Sequence, residues 1–131
     1  MKKCLLLLAL VFSSLFASAQ IDKIVGEWYT VDDETGAVKA LVDIYKGDNG
    51  LYYGKIIKLF AADANKKNLG LVVVKDMKEK KGELTGGKIY DPKSGNTYHA
   101  TIKYNSKKNC LVLRGSIDKY GLIGRSQTWV K

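Results

Sequence analysis

The feature that most constrains this chain is a two-residue rhythm of hydrophobicity that returns, segment after segment, beyond residue 23. In "AVKALVDIY" (37–45), Val38, Ala40, Val42 and Ile44 fall on one side of an extended chain, with Lys39 and Asp43 on the other. Successive side chains of a strand point to opposite faces, so this pattern describes a strand with one face buried. Comparable segments are "IVGEWYTV" (24–31), "LYYGKIIKLF" (51–60), "LVVVKDM" (71–77), "ELTGGKIYD" (83–91), "NTYHATIKY" (96–104), "CLVLRGS" (110–116) and "IGRSQTWV" (123–130), which makes eight candidate strands. No segment keeps a helical period for more than a turn or two. The polar stretch "FAADANKKN" (60–68) leaves room for one short turn of helix.

Eight strands joined mostly by tight turns predict an all-β fold, an eight-stranded antiparallel up-and-down barrel. Closure removes the exposed edges that otherwise invite aggregation. At eight strands the interior either fills with side chains or holds one small ligand. A seven- or eight-stranded sandwich is the competing architecture, and the lack of long crossover connections favours the barrel.

The densest motif-like stretch, "GGKIYDPKSGNTY" (86–98), reads as a turn between two strands. Asp91 can start a type I turn, Pro92 brings the φ that the next position needs, and Gly95 can take the left-handed conformation that closes the hairpin. "VDDETGAVK" (31–39) repeats this grammar with Asp32 or Asp33, then Thr35 and Gly36. A motif that recurs at hairpins is most simply a hairpin. The calcium-loop alternation of acids ending in glutamate is missing, as is a Gly-Lys-[Ser/Thr] opening a helix.

Residues 1–19 combine a basic start, Met1-Lys2-Lys3, with a mostly apolar run from Cys4 to Phe16 and the small-residue site Ala17-Ser18-Ala19. That is the form of a secretory signal peptide, too short and wrongly flanked for a transmembrane anchor. Cys4 lies ahead of the apolar run rather than just behind it, which argues against a lipoprotein. Cleavage after Ala19 would leave residues 20–131 as a single β-barrel domain in the periplasm or outside the cell. Only Cys110 would remain, so no intrachain disulfide can form. No later stretch approaches ~18 consecutive apolar residues, so the processed chain is expected not to span a membrane.

Without Lys2 and Lys3 the formal charge falls from +9 to +7, and Arg114 and Arg125 are the only arginines. Scattered lysine is the usual solubilising choice, whereas bidentate recognition of anions favours arginine. An anionic envelope component is the partner that such a charge would otherwise fit. Nucleic acid is not expected for an exported chain without interleaved basic and aromatic residues.

Signals for catalysis are nearly absent. His99, the sole histidine, shares a face with Thr97, Thr101 and Lys103, and Cys110 opens a strand among apolar neighbours. One histidine and one cysteine do not make a zinc site by themselves, and nothing singles out Glu27, Asp43 or Asp91 as an acid–base pair. The expectation is a protein that is not an enzyme and has no metal or other cofactor.

Gly26-Glu27-Trp28 on the first strand, with Arg125 on the last, resembles the signature of lipocalins and the wider calycins. In that group the tryptophan seals one barrel end and the arginine packs across it. Five blocks extend the likeness over nearly all of residues 20–131: "IVGEWYTVDDETGAVKALVDIYK", "YYGKIIKL", "GGKIYDPKSGNTYHATI", "LVLRG" and "GRSQTWVK". Their order and spacing resemble the bacterial family called domain of unknown function 2147. The resemblance implies an exported calycin-like barrel and carries motif positions but no catalytic roles. The candidate ligand-binding residues are Trp28, Tyr53, Tyr98, Arg114, Arg125 and Trp129, with Arg125 expected to stack on Trp28. The function expected of such a barrel is to bind a small apolar or amphipathic ligand at its mouth. The alternative is a structural or interaction protein of the envelope with a filled core.

Overall fold

A computed structural model describes residues 20–60 and 65–131, so the signal-peptide reading of residues 1–19 lies outside the described residues. The strands are β1 (Gly26–Val31), β2 (Val38–Lys46), β3 (Tyr52–Leu59), β4 (Val72–Lys80), β5 (Glu83–Asp91), β6 (Asn96–Asn105), β7 (Cys110–Ser116) and β8 (Gly124–Val130). They close into one barrel in chain order, every neighbouring pair antiparallel. The expected eight-stranded up-and-down barrel is therefore the fold, and the sandwich is not. A short 3-10 turn at Lys66–Asn68, capped by the Asn65 side chain, occupies part of the polar stretch that was expected to hold one.

Two departures from the alternation have local causes. Residues 20–24 form a single helical turn before β1, with the Val25 N–H donating to the Ile21 carbonyl at 3.1 Å. Its spacing drives Ile21 and Ile24 into the core, so β1 begins at Gly26 rather than at Ile24. β4 and β5 then slip together. The ladder skips a residue at Asp76 (φ 57) and at Gly86 (φ +75), both left-handed, which marks paired bulges that bend the wall. The next residue, Gly87, lies so close to β4 that a Cβ there would collide with the carbonyl oxygen of Lys75. The glycine pair of "TGGK" thus serves the bulge and the close approach of two strands.

The connections after β1, β3, β5 and β7 gather at one end of the barrel, the mouth. Those after β2, β4 and β6 gather with the helical turn at the other end, the base. The base half of the interior is filled: Ile24, Trp28, Ile44, Met77, Leu84, Ile102 and Leu111 have no exposure at all. Trp28 is the keystone there. Its Nε1 donates to the Ile24 carbonyl at 2.8 Å, which ties the helical turn onto the core, and its ring lies tilted against Tyr104 with centroids 6.4 Å apart.

At the mouth the two Asp-x-x-[Ser/Thr]-Gly segments form matching turns. In the first, Asp32 Oδ1 accepts the N–H groups of Glu34 (2.9 Å) and Thr35 (3.0 Å), and the Gly36 N–H donates to the Asp32 carbonyl. In the second, Asp91 accepts from the Lys93 N–H and the Ser94 hydroxyl, and the Gly95 N–H donates to the Asp91 carbonyl. Gly36 and Gly95 have φ of +74 and +76. The turn reading of both stretches holds.

These turns make two predictions. Nothing lies within 4 Å of a Cβ built on Gly36 or Gly95, so any penalty at either site comes from the backbone alone. Gly95→Val and Gly36→Val should each lose ~1–3 kcal/mol in denaturant unfolding, and Gly95→Asn clearly less, because asparagine tolerates the left-handed region. The second prediction concerns acid. The Thr35 N–H, then the Glu34 N–H and Lys39, lower the Asp32 carboxyl from its ordinary 3.8 to about 2. A carboxylate depressed in the folded state stabilises above its unfolded value and loses that contribution as pH falls through the folded one. Wild type and Asp32→Asn should therefore differ in melting temperature at neutral pH and converge as pH drops from 3.8 to about 2.

Candidate functional site

The strand that reads "GRSQTW" carries the features that make the mouth half of the interior unlike the base half. On β8, Arg125, Gln127 and Trp129 alternate and so share one face. Register sets them opposite Gly115, Leu113 and Leu111, and those β7 positions face the core: Leu111 and Leu113 are buried, and a Cβ on Gly115 would touch Tyr98 and Ile89. Thr30 and Ala40, Ala100 and Gly115 are cross-strand pairs of small side chains in this same half. Tyr98 and Ile89 face each other across β6 and β5, both only partly buried. The base is packed solid, and the mouth half is lined by small residues, by buried Val74 opposite Ile89 and by the half-covered Tyr98 and Ile89.

Polarity changes along the same β8 face. Arg125 is open to solvent, its side chain 78% exposed, and Gln127 is also exposed. Trp129 is 3% exposed, and its buried indole Nε1 has no hydrogen-bond partner among the described residues. A buried donor left unmade costs about 1–3 kcal/mol, so this atom marks a place where an acceptor is missing.

Of the six residues picked from the sequence, Tyr98 and Arg125 lie in the mouth half, both beside Gly115, whereas Trp129 lies four residues further down β8, opposite buried Leu111. Trp28 seals the base, as expected, but Arg125 does not stack on it. Arg125 Nη2 donates to Asp33 Oδ2 at 2.9 Å, across from β8 to the turn after β1. The cation over the Trp28 ring is Lys131, its Nζ 4.5 Å from the centroid. The register explains the exchange. Thr30 pairs with Trp129 and Tyr29 with Val130, so the next position opposite Trp28 belongs to residue 131, and Arg125 is left at the far end of the strand.

The other two lie elsewhere. Arg114 alternates out of phase with Leu111 and Leu113, and outside the barrel its Nε donates to the Gly121 carbonyl at 2.7 Å. It braces the β7–β8 loop together with Asp118, a residue the sequence reading did not single out. The Asp118 carboxylate accepts the backbone N–H groups of Ile123 (2.8 Å), Leu122 (3.0 Å) and Tyr120 (3.2 Å). The Ile123 and Leu122 bonds, in that order, hold its carboxyl below the usual range. An aspartate two residues before an aromatic–glycine pair is the signal that could have found it. Tyr53 sits on the outer wall, stacked on Tyr45 with centroids 5.9 Å apart. Its hydroxyl donates to Asp76 and accepts from Asn49, and it lines a shallow outer groove of about 520 Å³ with Tyr45, Gly47 and Lys75. That groove lies outside the barrel, and the hydroxyl of Tyr53 is already paired.

Cys110 is a buried free thiol and His99 is half-buried. Among the described residues no three His, Cys, Asp or Glu side chains converge as a metal-ion site would need. No described helix is long and apolar enough to cross a membrane.

A closed eight-stranded meander with a tryptophan-sealed base is a lipocalin-like barrel. A solved structure supports that class: "Protein HP1028 from the human pathogen Helicobacter pylori belongs to the lipocalin family" matches at a TM-score of 0.67 and 25% identity, over 82% of this chain and 81% of that one. The chain itself belongs to the bacterial family described as "Uncharacterized protein conserved in bacteria (DUF2147)", whose pattern matches residues 26–131. A comparison with curated proteins found no match.

The geometry at the base fixes the outcome of a double-mutant cycle. Trp28→Ala should lose ~3–5 kcal/mol in denaturant unfolding. Lys131→Met should couple to it by ~0.5–1 kcal/mol, the size of an exposed cation–π contact. Arg125→Lys should show no coupling to Trp28. Coupling of Trp28 to Arg125 instead of Lys131 would overturn the observed closure.

Proposed function

We propose that this chain is an exported binding module of the bacterial envelope, without catalytic activity, which takes a small apolar or amphipathic ligand in the mouth half of its barrel. The observation that carries this reading is the Nε1 of buried Trp129, without an acceptor among the described residues, at the inner end of the strand face that carries exposed Gln127 and Arg125 towards the mouth. An apolar body could lie against Tyr98, Ile89 and the small residues around them. An acceptor on the ligand would meet the indole N–H, and a polar end would stay near Arg125 at the rim. Small pockets of this kind, mostly apolar with a few placed donors, are the usual form of a small-molecule site. The lipocalin-family description of the structural neighbour, at 25% identity, is in keeping with it. The signal-peptide-like residues 1–19 favour export, and the formal +7 of residues 20–131 favours an anionic envelope component as a second partner.

The complete burial of Trp28, Met77, Leu84 and Ile102 favours a second reading, a structural envelope protein whose core is its own side chains. One experiment separates the two. Native mass spectrometry of the protein purified from its host should show a retained small mass. Trp129→Phe keeps the ring but removes the donor, and should weaken retention roughly 3- to 10-fold, the worth of one hydrogen bond. A bare chain in both forms would leave the filled barrel.

A further inference from the structure

Of the eight large apolar side chains exposed among the described residues, all but Val25 sit at the mouth end. Four of them belong to the β7–β8 loop: Ile117, Tyr120, Leu122 and Ile123 are 72%, 76%, 79% and 65% exposed. Phe60 and Leu69, beside the connection after β3, are exposed as well. The loop is not a slack segment that happens to show its side chains. The Ile117 N–H donates to the Ile123 carbonyl, Gly121 turns the chain at φ +77, and Asp118 and Arg114 bond its backbone. Polar contacts hold the loop together, and its apolar side chains turn outward. Contiguous exposed apolar surface on a soluble domain usually marks an interaction site.

Charge says what kind. Among the described residues, the acids of the mouth are mostly engaged within the protein: Asp32 by Lys39 and two N–H groups, Asp33 by Arg125, Asp91 and Asp118 by their own turns, with Glu34 the exception. Lys58, Lys66, Lys67, Lys93 and Lys119 make no ion pair among the described residues. Two of these ammonium groups flank the exposed rings directly, Lys58 at 5.2 Å from Phe60 and Lys119 at 5.1 Å from Tyr120. Outward apolar side chains among unpaired lysines suit the boundary between anionic headgroups and acyl chains. A second copy of the chain would bring the same lysines to the contact and repel.

We propose that the mouth rim docks on an anionic lipid surface. Ile117, Tyr120, Leu122 and Ile123 enter the headgroup–acyl boundary, the rim lysines lie on the headgroups, and the barrel opens towards the bilayer. The envelope location proposed above supplies the setting, but docking does not depend on whether the interior holds a ligand. The N-terminal residue of the host-purified chain reads the location separately: Gln20 for an exported protein, Met1 or Lys2 otherwise.

The test is co-sedimentation of that protein with phosphatidylglycerol vesicles, with phosphatidylcholine vesicles as the control. Binding to phosphatidylglycerol should be strong at low salt and weaken towards physiological salt, where the Debye length shrinks to ~8 Å. The double variant Leu122→Ser, Ile123→Ser should bind about tenfold less or worse, and Val25→Ser, at the base, should bind as wild type. Lys66→Glu with Lys67→Glu changes the rim without touching the loop and should also lose binding, which keeps the test valid if the loop variant folds poorly by circular dichroism. Absence of binding at low salt would overturn the proposal. So would full binding by both rim variants, or a wild-type dimer that light scattering shows dissociating in the loop variant.

Discussion

The barrel depends on a short seam. β1 and β8 are joined by only two register pairs, Tyr29 with Val130 and Thr30 with Trp129, whereas β7 and β8 share seven. Those two pairs turn an open sheet into a closed one, and closure is what spares a sheet this size its exposed edges. They also fix what stands on either side. Towards the base, the seam carries Lys131 over the Trp28 ring. Towards the mouth, β1 ends and β8 continues from Gly124 to Thr128 exposed and without a partner on that side. Arg125 and Asp33 bridge that unzipped stretch at 2.9 Å. An exposed ion pair contributes little to stability, about 0–1 kcal/mol, so its role here is better described as position. The short, polar, glycine-started edge that remains is a poor template for pairing with another chain.

The two tryptophans of this closure are satisfied differently. On its base side Trp28 takes a carbonyl acceptor from the helical turn, so its polar atom is satisfied and the packing is complete. In the seam itself Trp129 reaches the core from β8, and its indole N–H has no acceptor among the described residues. Two tryptophans at neighbouring positions of one closure thus differ in whether the indole N–H is bonded. A barrel this small can fill its interior with its own side chains or leave room for a guest. Here the residue sizes shift from Met77, Leu84 and Ile102 at the base to Ala40, Ala100 and Gly115 towards the mouth.

Most of the fold was legible because alternation and turn chemistry are local signals. The eight strands follow from period two, and the hairpins after β1 and β5 follow from an aspartate, a hydroxyl residue and a glycine at fixed offsets. The helical turn was not read, because Ile21 and Ile24 stand three apart but five residues are too few for a period to assert itself. The paired bulges at Asp76 and Gly86 were not legible, because a bulge exists only between two strands whose register is already known. The site residues divide on the same line. Parity alone sends Tyr53 and Arg114 outward, since Tyr52, Gly54 and Ile56, like Leu111 and Leu113, hold the buried phase. The partner of Arg125 needed the β1–β8 register, which no single segment contains.

That last error has a physical lesson about where this chain needs rigid geometry. Two guanidinium groups stand in a lysine-dominated sequence, and neither serves the base, where a flexible ammonium on Lys131 suffices to cover a ring. Both act at the mouth. Arg114 holds the carbonyl of Gly121 and, at 3.5 Å, that of Leu122, while Arg125 ties the free stretch of β8 to the first turn. A planar fork with donors at fixed angles can bond two backbone oxygens of one loop at once, which a single point charge does poorly. Asp118 acts from within the same loop by gathering three N–H groups on one carboxylate. The base is held by apolar packing, which tolerates small adjustments of shape. The mouth has little buried area to hold it, and its loops keep their form through directional bonds to backbone atoms. Those bonds leave the apolar side chains of the β7–β8 loop free to face outward, so the surface chemistry of the rim follows from the way it is braced.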